Sequence, residues 1–209
     1  VIACAGTGQD GDVRAGVEWP NPRFTDNGDG TITDEATGLM WLKDGDCLGS
    51  FQWWMLGPNV EVLNTNPALF SCTDYTASYG DWRTPNISEL LMLWNGQEAD
   101  VSGWLIGQGF VDVASNYWSS TGLVGDGSVA FYPYLAWQRT YTSSVSSAKP
   151  QWAVRGGPNH APDPAWPANV WKTGQTTCWT PNGDPMSCAG TGNDGELQWG
   201  GAWPSSGPW

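Results

Sequence analysis

The end of this chain repeats its beginning. Residues 3–20 read ACAGTGQDGDVRAGVEWP and residues 187–204 read SCAGTGNDGELQWGGAWP, with ten of eighteen positions identical at a constant offset of 184. Shared composition does not produce that register, so the two stretches are copies of one structural unit. Everything else the chain folds into must lie between them or be built against them. Two organisations follow. In one, the chain spans one unit and the opening segment of the next unit in a tandem protein; in the other, the C-terminal copy takes, on a neighbouring molecule, the place that the N-terminal copy takes on its own. The division expected is a terminal segment over 1–24, a domain over 25–157, a Pro-rich strap over 158–172 and a second copy of the terminal segment over 173–209.

Charge narrows the partners. The 209 residues carry 8 Lys and Arg against 21 Asp and Glu, a net charge of −13. A chain of that sign has no electrostatic basis for holding phosphate backbones, which excludes nucleic acid. Charged residues make up only 14%, too few for salt-bridge-laced surface helices, so a helical bundle is excluded too. The 16 Trp demand a packed fold. No apolar run approaches the roughly 18 residues of a membrane span.

Cysteine spacing agrees with an oxidising compartment. Cys178 and Cys188 bracket an Asn182-Gly183-Asp184 turn signal and are expected to staple a short hairpin, at somewhat under ~3 kcal/mol. Cys47 and Cys72 flank a helix-like insert and pair most simply with each other, at roughly 3–4 kcal/mol. Cys4 is left as the odd thiol. It aligns with Cys188, and either an intermolecular bond or a partner ten residues upstream accounts for it.

Between the copies, Phe24–Asp34 reads as strand, Asn-Gly-Asp-Gly turn, strand, and Gly38–Leu42 as another strand. Residues 58–63 read as a short helix with Pro58 in its first turn. Asn86–Trp94 reads as a helix in which Asn86 and Glu89 form a capping box; that role accounts for Asn86 better than its glycosylation sequon. Residues 116–155 read as strands throughout.

The motifs RFTDNGDGTITDEATGLMWLKD (23–44), GDWRTPNISELLML (80–93), NYWSS (116–120) and WAVRGG (152–157) resemble, in order, those of the DUF1566 family, which carries the Lcl C-terminal domain. Residues 172–204 resemble the segment that precedes such domains in tandem members. The resemblance implies an α+β, C-type-lectin-like fold with one or two short helices and extended terminal segments. It also implies bacterial secretion and a role in adhesion, including glycosaminoglycan binding in the adhesin that names the family. Ala153 stands where members often carry Cys, and the acidity of this chain disfavours sulfated glycans.

Enzymatic readings find no scaffold. The single His, His160, falls in the strap, so neither a His-centred triad nor a His metal cluster is expected. No carboxylate pair stands out for glycoside chemistry. Asp26–Gly30 resembles a calcium loop but lacks the Glu at its twelfth position. No catalytic residue, metal or cofactor is therefore expected. The candidate ligand face is Tyr132, Tyr134, Trp137, Arg139 and Tyr141, since aromatic rings stack on sugars or pack on protein partners. Trp118 and Trp152 are expected in the core. Trp199, Trp203 and Trp209 lie in Gly-rich chain with little local means of burial. Together with Cys4 they are the candidate assembly residues, joining copies of this chain head to tail through 172–209 and 1–24.

Overall fold

A computed structural model describes residues 4–13, 18–156 and 170–201. His160, Trp203, Trp209 and most of the strap lie outside the described residues. The architecture is α+β, with four small antiparallel sheets and short helices.

The first sheet follows from the Asn-Gly-Asp-Gly turn. Strands β1 (Phe24–Asp26) and β2 (Thr31–Asp34) pair across it, with Asp29 Oδ1 accepting from the Thr31 amide at 3.1 Å and hydroxyl at 2.5 Å. Strand β3 (Leu39–Leu42) pairs with β2 and closes against β9 (Val154–Gly156), giving the order β1-β2-β3-β9. The acids of the turn are thus occupied in turn and ion-pair geometry, Asp26 reaching Lys43 at 2.9 Å. The second sheet consists of β5 (Gly122–Leu123), β6 (Asp126–Tyr134) and β7 (Arg139–Ser144). Strands β4 (Ser50–Phe51) and β8 (Lys149–Pro150) pair separately, and β10 (Cys178–Trp179) pairs with β11 (Pro185–Met186) across the Asn182-Gly183-Asp184 turn.

Four helices lie around the sheets or in the termini: α1 (Asp10–Val13), α2 (Leu56–Thr65), α3 (Ile87–Leu91) and α4 (Val101–Gly107); α5 (Asp194–Leu197) follows near the C-terminus. Helix α3 starts at a complete capping box: Asn86 accepts from the Glu89 amide and Glu89 accepts from the Asn86 amide, both at 2.9 Å. Glu89 also forms a buried ion pair with Arg83 at 2.5 Å. The side chain of Asn86 is therefore committed to structure, as the cap reading requires.

Two expectations for 116–155 are corrected. Asn116–Ser120 does not form a strand. Its amides donate to carbonyls in three places, Trp118 to Pro150, Ser119 to Phe131 and Ser120 to Pro85, so no single ladder forms. Strand β6 ends at Tyr134 because Leu135–Trp137 turns into a 3-10 helix closed by Gln138 at φ +48°. Helix α4 is an addition to the helices that the sequence patterns predict.

The core is aromatic. Trp152 is fully buried, with ring centroids 4.9 Å from Tyr117 and 5.2 Å from both Trp41 and Phe110. Its indole N–H donates to the Leu42 carbonyl at 2.7 Å, which satisfies the one polar atom that burial would otherwise penalise. Trp118 is fully buried in a second, smaller cluster with Leu56 and Ala130. Burial pushes the Tyr117 hydroxyl far above its ordinary range. Disulfides join Cys47 to Cys72 and Cys178 to Cys188; Cys4 is exposed and unpaired.

Candidate functional site

Two surfaces carry the chemistry. The first is the aromatic face of β6 and β7. Their register sets Tyr132 opposite Tyr141 and Tyr134 opposite Arg139, and strand alternation turns the three tyrosines to one side. Tyr132 and Tyr141 stack at 5.7 Å, and Tyr134 stacks on Trp137 at 4.7 Å. Trp137 is 66% exposed, held out by the 3-10 turn, while the next residue, Gln138, donates to the Glu98 carbonyl at 2.7 Å. A shallow concavity lies there, lined by Ala99, Ala136, Trp137, Gln138 and Arg139. All five ligand-face candidates are thus brought together. Lys149, which no sequence pattern marks, adds a cation 3.9 Å from the Tyr132 ring centre, and burial lowers its pKa.

The second surface holds the C-terminal copy. Hairpin β10–β11 lies against the start of β6, where the Gly127 amide donates to the Thr180 carbonyl at 3.0 Å. A side chain at Gly127 would strike the Trp179 carbonyl, so only glycine permits this approach. From Cys188 onward the copy drops into a cradle. The Asp194 amide donates to Ser120 at 2.9 Å, and the buried Asp194 carboxylate accepts from the hydroxyls of Thr121 at 3.1 Å and of Thr173. Asn86 donates to the Trp199 carbonyl at 3.2 Å, and the Arg83 guanidinium sits 4.7 Å from the Trp199 ring centre. Gly192 packs so closely that a Cβ there would come within 3.0 Å of the Gly57 Cα. Burial raises the pKa of Asp194 against the lowering effect of the two hydroxyls. Trp199, an assembly candidate, therefore lies on its own chain's Arg83 in this structure, 42% exposed.

The N-terminal copy folds the same way. In both, a Thr hydroxyl and amide donate back to the Cys carbonyl three residues earlier, Thr7 to Cys4 and Thr191 to Cys188. In both, one carboxylate gathers two glycine amides: Asp12 takes Gly6 and Gly8 at 3.0 Å each, and Glu196 takes Gly190 at 2.5 Å and Gly192 at 2.7 Å. Those amides lower the pKa of Asp12, Gly8 most, and of Glu196, Gly190 most. Helices α1 and α5 are likewise offset by 184. Trp19, the counterpart of Trp203, lies 6.1 Å from Trp104, with Arg23 over its ring at 4.3 Å.

A family model described as the Lcl C-terminal domain matches residues 30–155, more than half of the chain. The chain belongs to the Lcl C-terminal domain family. No curated protein matches it. The Lcl domain thus contains both the aromatic face and the domain side of the cradle, whereas the two terminal copies lie outside it. The Lcl family is not a known enzyme family. Among the described residues no cluster of three or more His, Cys, Asp or Glu is arranged to hold a metal ion, and no helix is long and apolar enough to cross a membrane.

Proposed function

We propose that this Lcl protein is a non-enzymatic extracellular surface module that assembles head to tail through its duplicated terminal segments and presents a C-type-lectin-like aromatic face. The observation that supports the reading is the doubled terminal segment: two copies at opposite ends of one chain share a sequence, a hydrogen-bonding scheme and a helix, yet residues 4–9, 12 and 13 of the first are exposed while Cys188, Asp194 and Gly195 of the second are buried. A repeated end whose mate is exposed suits contacts between different surfaces, which propagate instead of closing. Cys4, Trp199, Trp203 and Trp209 contribute to the joint, where residues 172–209 of one molecule meet residues 1–24 of the next. The two disulfides suit an oxidising, extracellular setting.

Electron microscopy and light scattering of the full chain against a variant lacking residues 1–13 test this. Filaments or multimers are expected from the full chain and monomers from the variant, whose Lcl domain keeps its contacts. Assembly that survives the deletion overturns the reading.

A second reading, recognition of a glycan or protein, is favoured by one feature: Trp137 is exposed while stacked on Tyr134, a rigid apolar plate beside Arg139. Trp137→Ala with Tyr134→Ala is expected to lower binding on a glycan array or to a protein ligand at least tenfold with unchanged circular dichroism. Unaltered binding removes these residues from the ligand face.

A further inference from the structure

We propose that the cradle filled by the C-terminal copy is also the docking site for the N-terminal copy of a second molecule, which Cys4 then fixes by thiol–disulfide exchange on Cys178. The proposal rests on the head-to-tail reading and gives it a site and a covalent bond.

The cradle already shows which peptide it accepts. Its walls are Gly57, Ser120 and Thr121 of the Lcl domain and Thr173 beside the β10–β11 hairpin, and its occupant is the stretch from Cys188 to Trp199. From Cys188 to Gly195, every occupant residue that touches a wall through backbone or carboxylate has its identical counterpart in the N-terminal copy. Asp10 stands for Asp194, Gly8 for Gly192 and Gly11 for Gly195. The geometry matches too, Gly8 at φ +69° and Gly192 at φ +65°. Yet residues 4–9, 12 and 13 are exposed. A segment shaped for a cradle it does not occupy is a ligand for that cradle on another copy.

One contact is not reproduced. Ala15 takes the place of Trp199, so the incoming copy lacks the ring over Arg83. The chain's own C-terminal copy therefore holds the cradle by preference, and a covalent step is what makes the exchange persist.

Alignment supplies that step, because Cys4 falls where Cys188 falls, bonded to Cys178. When residues 188–201 lift and residues 4–13 of a second molecule enter, the Cys4 thiolate attacks the Cys178 sulfur. The Cys178–Cys188 bond breaks as the Cys4–Cys178 bond forms. Cys188 leaves as a thiolate and takes up the proton that Cys4 released. No oxidant is consumed: each link removes one free thiol at Cys4 and creates one at Cys188. The β10–β11 hairpin stays in place, because Gly127 and Gln175 tie its region to the Lcl domain. The molecule that has accepted a copy keeps its own free Cys4, and the molecule that has donated one keeps its own cradle with the Cys178–Cys188 bond intact, so the linkage repeats at both ends.

The test uses the purified full chain at neutral pH, quenched with iodoacetamide, separated on non-reducing gels and mapped with trypsin plus a protease that cuts before Asp184, which separates Cys178 from Cys188. A ladder is expected whose cross-linked peptide joins Cys4 to Cys178 and whose Cys188 is alkylated. Trp199→Ala is expected to speed ladder formation about two- to fivefold by weakening the resident copy, and Cys4→Ser to remove the ladder. Links joining Cys4 to Cys4, a Cys4–Cys178 bond within one molecule, or a rate unchanged by Trp199→Ala overturn the exchange. Assembly that is lost on deleting residues 1–13 but contains no Cys4–Cys178 bond overturns the exchange and leaves head-to-tail assembly standing. Absence of assembly in the full chain overturns both.

Discussion

The N-terminal and C-terminal copies contain the same peptide in two situations. Both close the same turn, with a carboxylate collecting two glycine amides and a Thr hydroxyl reaching back to a Cys carbonyl. Local chemistry alone therefore builds this turn, and it needs no tertiary support for its shape. What differs is everything beyond the turn. The C-terminal copy has a disulfide, a buried aspartate and, at Trp199, an indole over the Arg83 guanidinium; in the N-terminal copy Cys4 is free, Ala15 stands at the position of Trp199, and the indole over a guanidinium is Trp19 over Arg23. The comparison separates formation of a fold unit from its docking, and each docking contact can be removed singly to make the C-terminal copy behave like its twin.

The largest effect is expected at Arg83. Its guanidinium is buried, bonds both oxygens of Glu89 at 2.7 and 2.5 Å, and supports Trp199. Arg83→Met leaves the Glu89 carboxylate buried without its cation, at a cost of about 3–5 kcal/mol. Urea denaturation should show that loss, and limited proteolysis should cut within 188–201 as readily as within 4–13. A loss below about 1 kcal/mol would mean that the cradle does not depend on the pair.

Next is the disulfide. Cys178→Ser with Cys188→Ser releases a loop of ten residues, worth roughly 2–3 kcal/mol by loop entropy. The loss should be confined to the hairpin and C-terminal copy, so hydrogen exchange should quicken there and stay unchanged around Trp152. Uniform quickening would show that the copy supports the whole Lcl domain.

A sharper contrast comes from the paired glycines. Gly8 and Gly192 share a left-handed backbone, so alanine at either costs about 1–2 kcal/mol of local strain. Only at 192 does the new Cβ also press on Gly57; at 8 nothing lies within 4 Å. Gly192→Ala should therefore undock the copy, while Gly8→Ala frays only residues 4–13. Hydrogen exchange in the two segments measures the difference, which reports the backbone contact by itself. Equal effects would remove Gly57 from the cradle.

How far the sequence revealed this depends on the range of the interaction. The capping box at Asn86 and Glu89, the Asn-Gly-Asp-Gly turn and the Asn182-Gly183-Asp184 hairpin involve residues within a few positions of one another, so their patterns are legible. The family motifs carried the α+β class and the core Trp118 and Trp152. The aromatic strands were legible as a cluster because period-two alternation already sets Tyr132 and Tyr134 on one face. Asn116–Ser120 misled, since its strand-like composition serves two buried rings while its amides go to three separate segments. Lys149 over Tyr132 and the cradle walls at Gly57, Arg83 and Thr121 join positions tens of residues apart, and no local pattern marks them. One signal did exist: the repeat retains Asp at positions 10 and 194 in otherwise polar, Gly-rich chain, and only a specific partner for that carboxylate explains its burial at 194.

The smallest effect is a pH dependence of that same aspartate, and its sign is fixed by burial. The docked Asp194 has its pKa raised, first by desolvation, with the Thr173 and Thr121 hydroxyls pulling it down, Glu89 pushing it up and Arg83 pulling it down. Undocked, it titrates as an ordinary aspartate near about 3.9. Docking then takes up a proton, so it is strongest below that ordinary value and weakens as pH rises through the raised one. Trp199 fluorescence or protease sensitivity of 188–201, followed upward from about pH 4, should report progressive loosening of the C-terminal copy and none in 4–13. Asp194→Asn removes the titration and should hold the copy at one affinity across the range. Tightening with rising pH would mean that the hydroxyls and Arg83 outweigh desolvation, making the cradle a site for the carboxylate in its charged form.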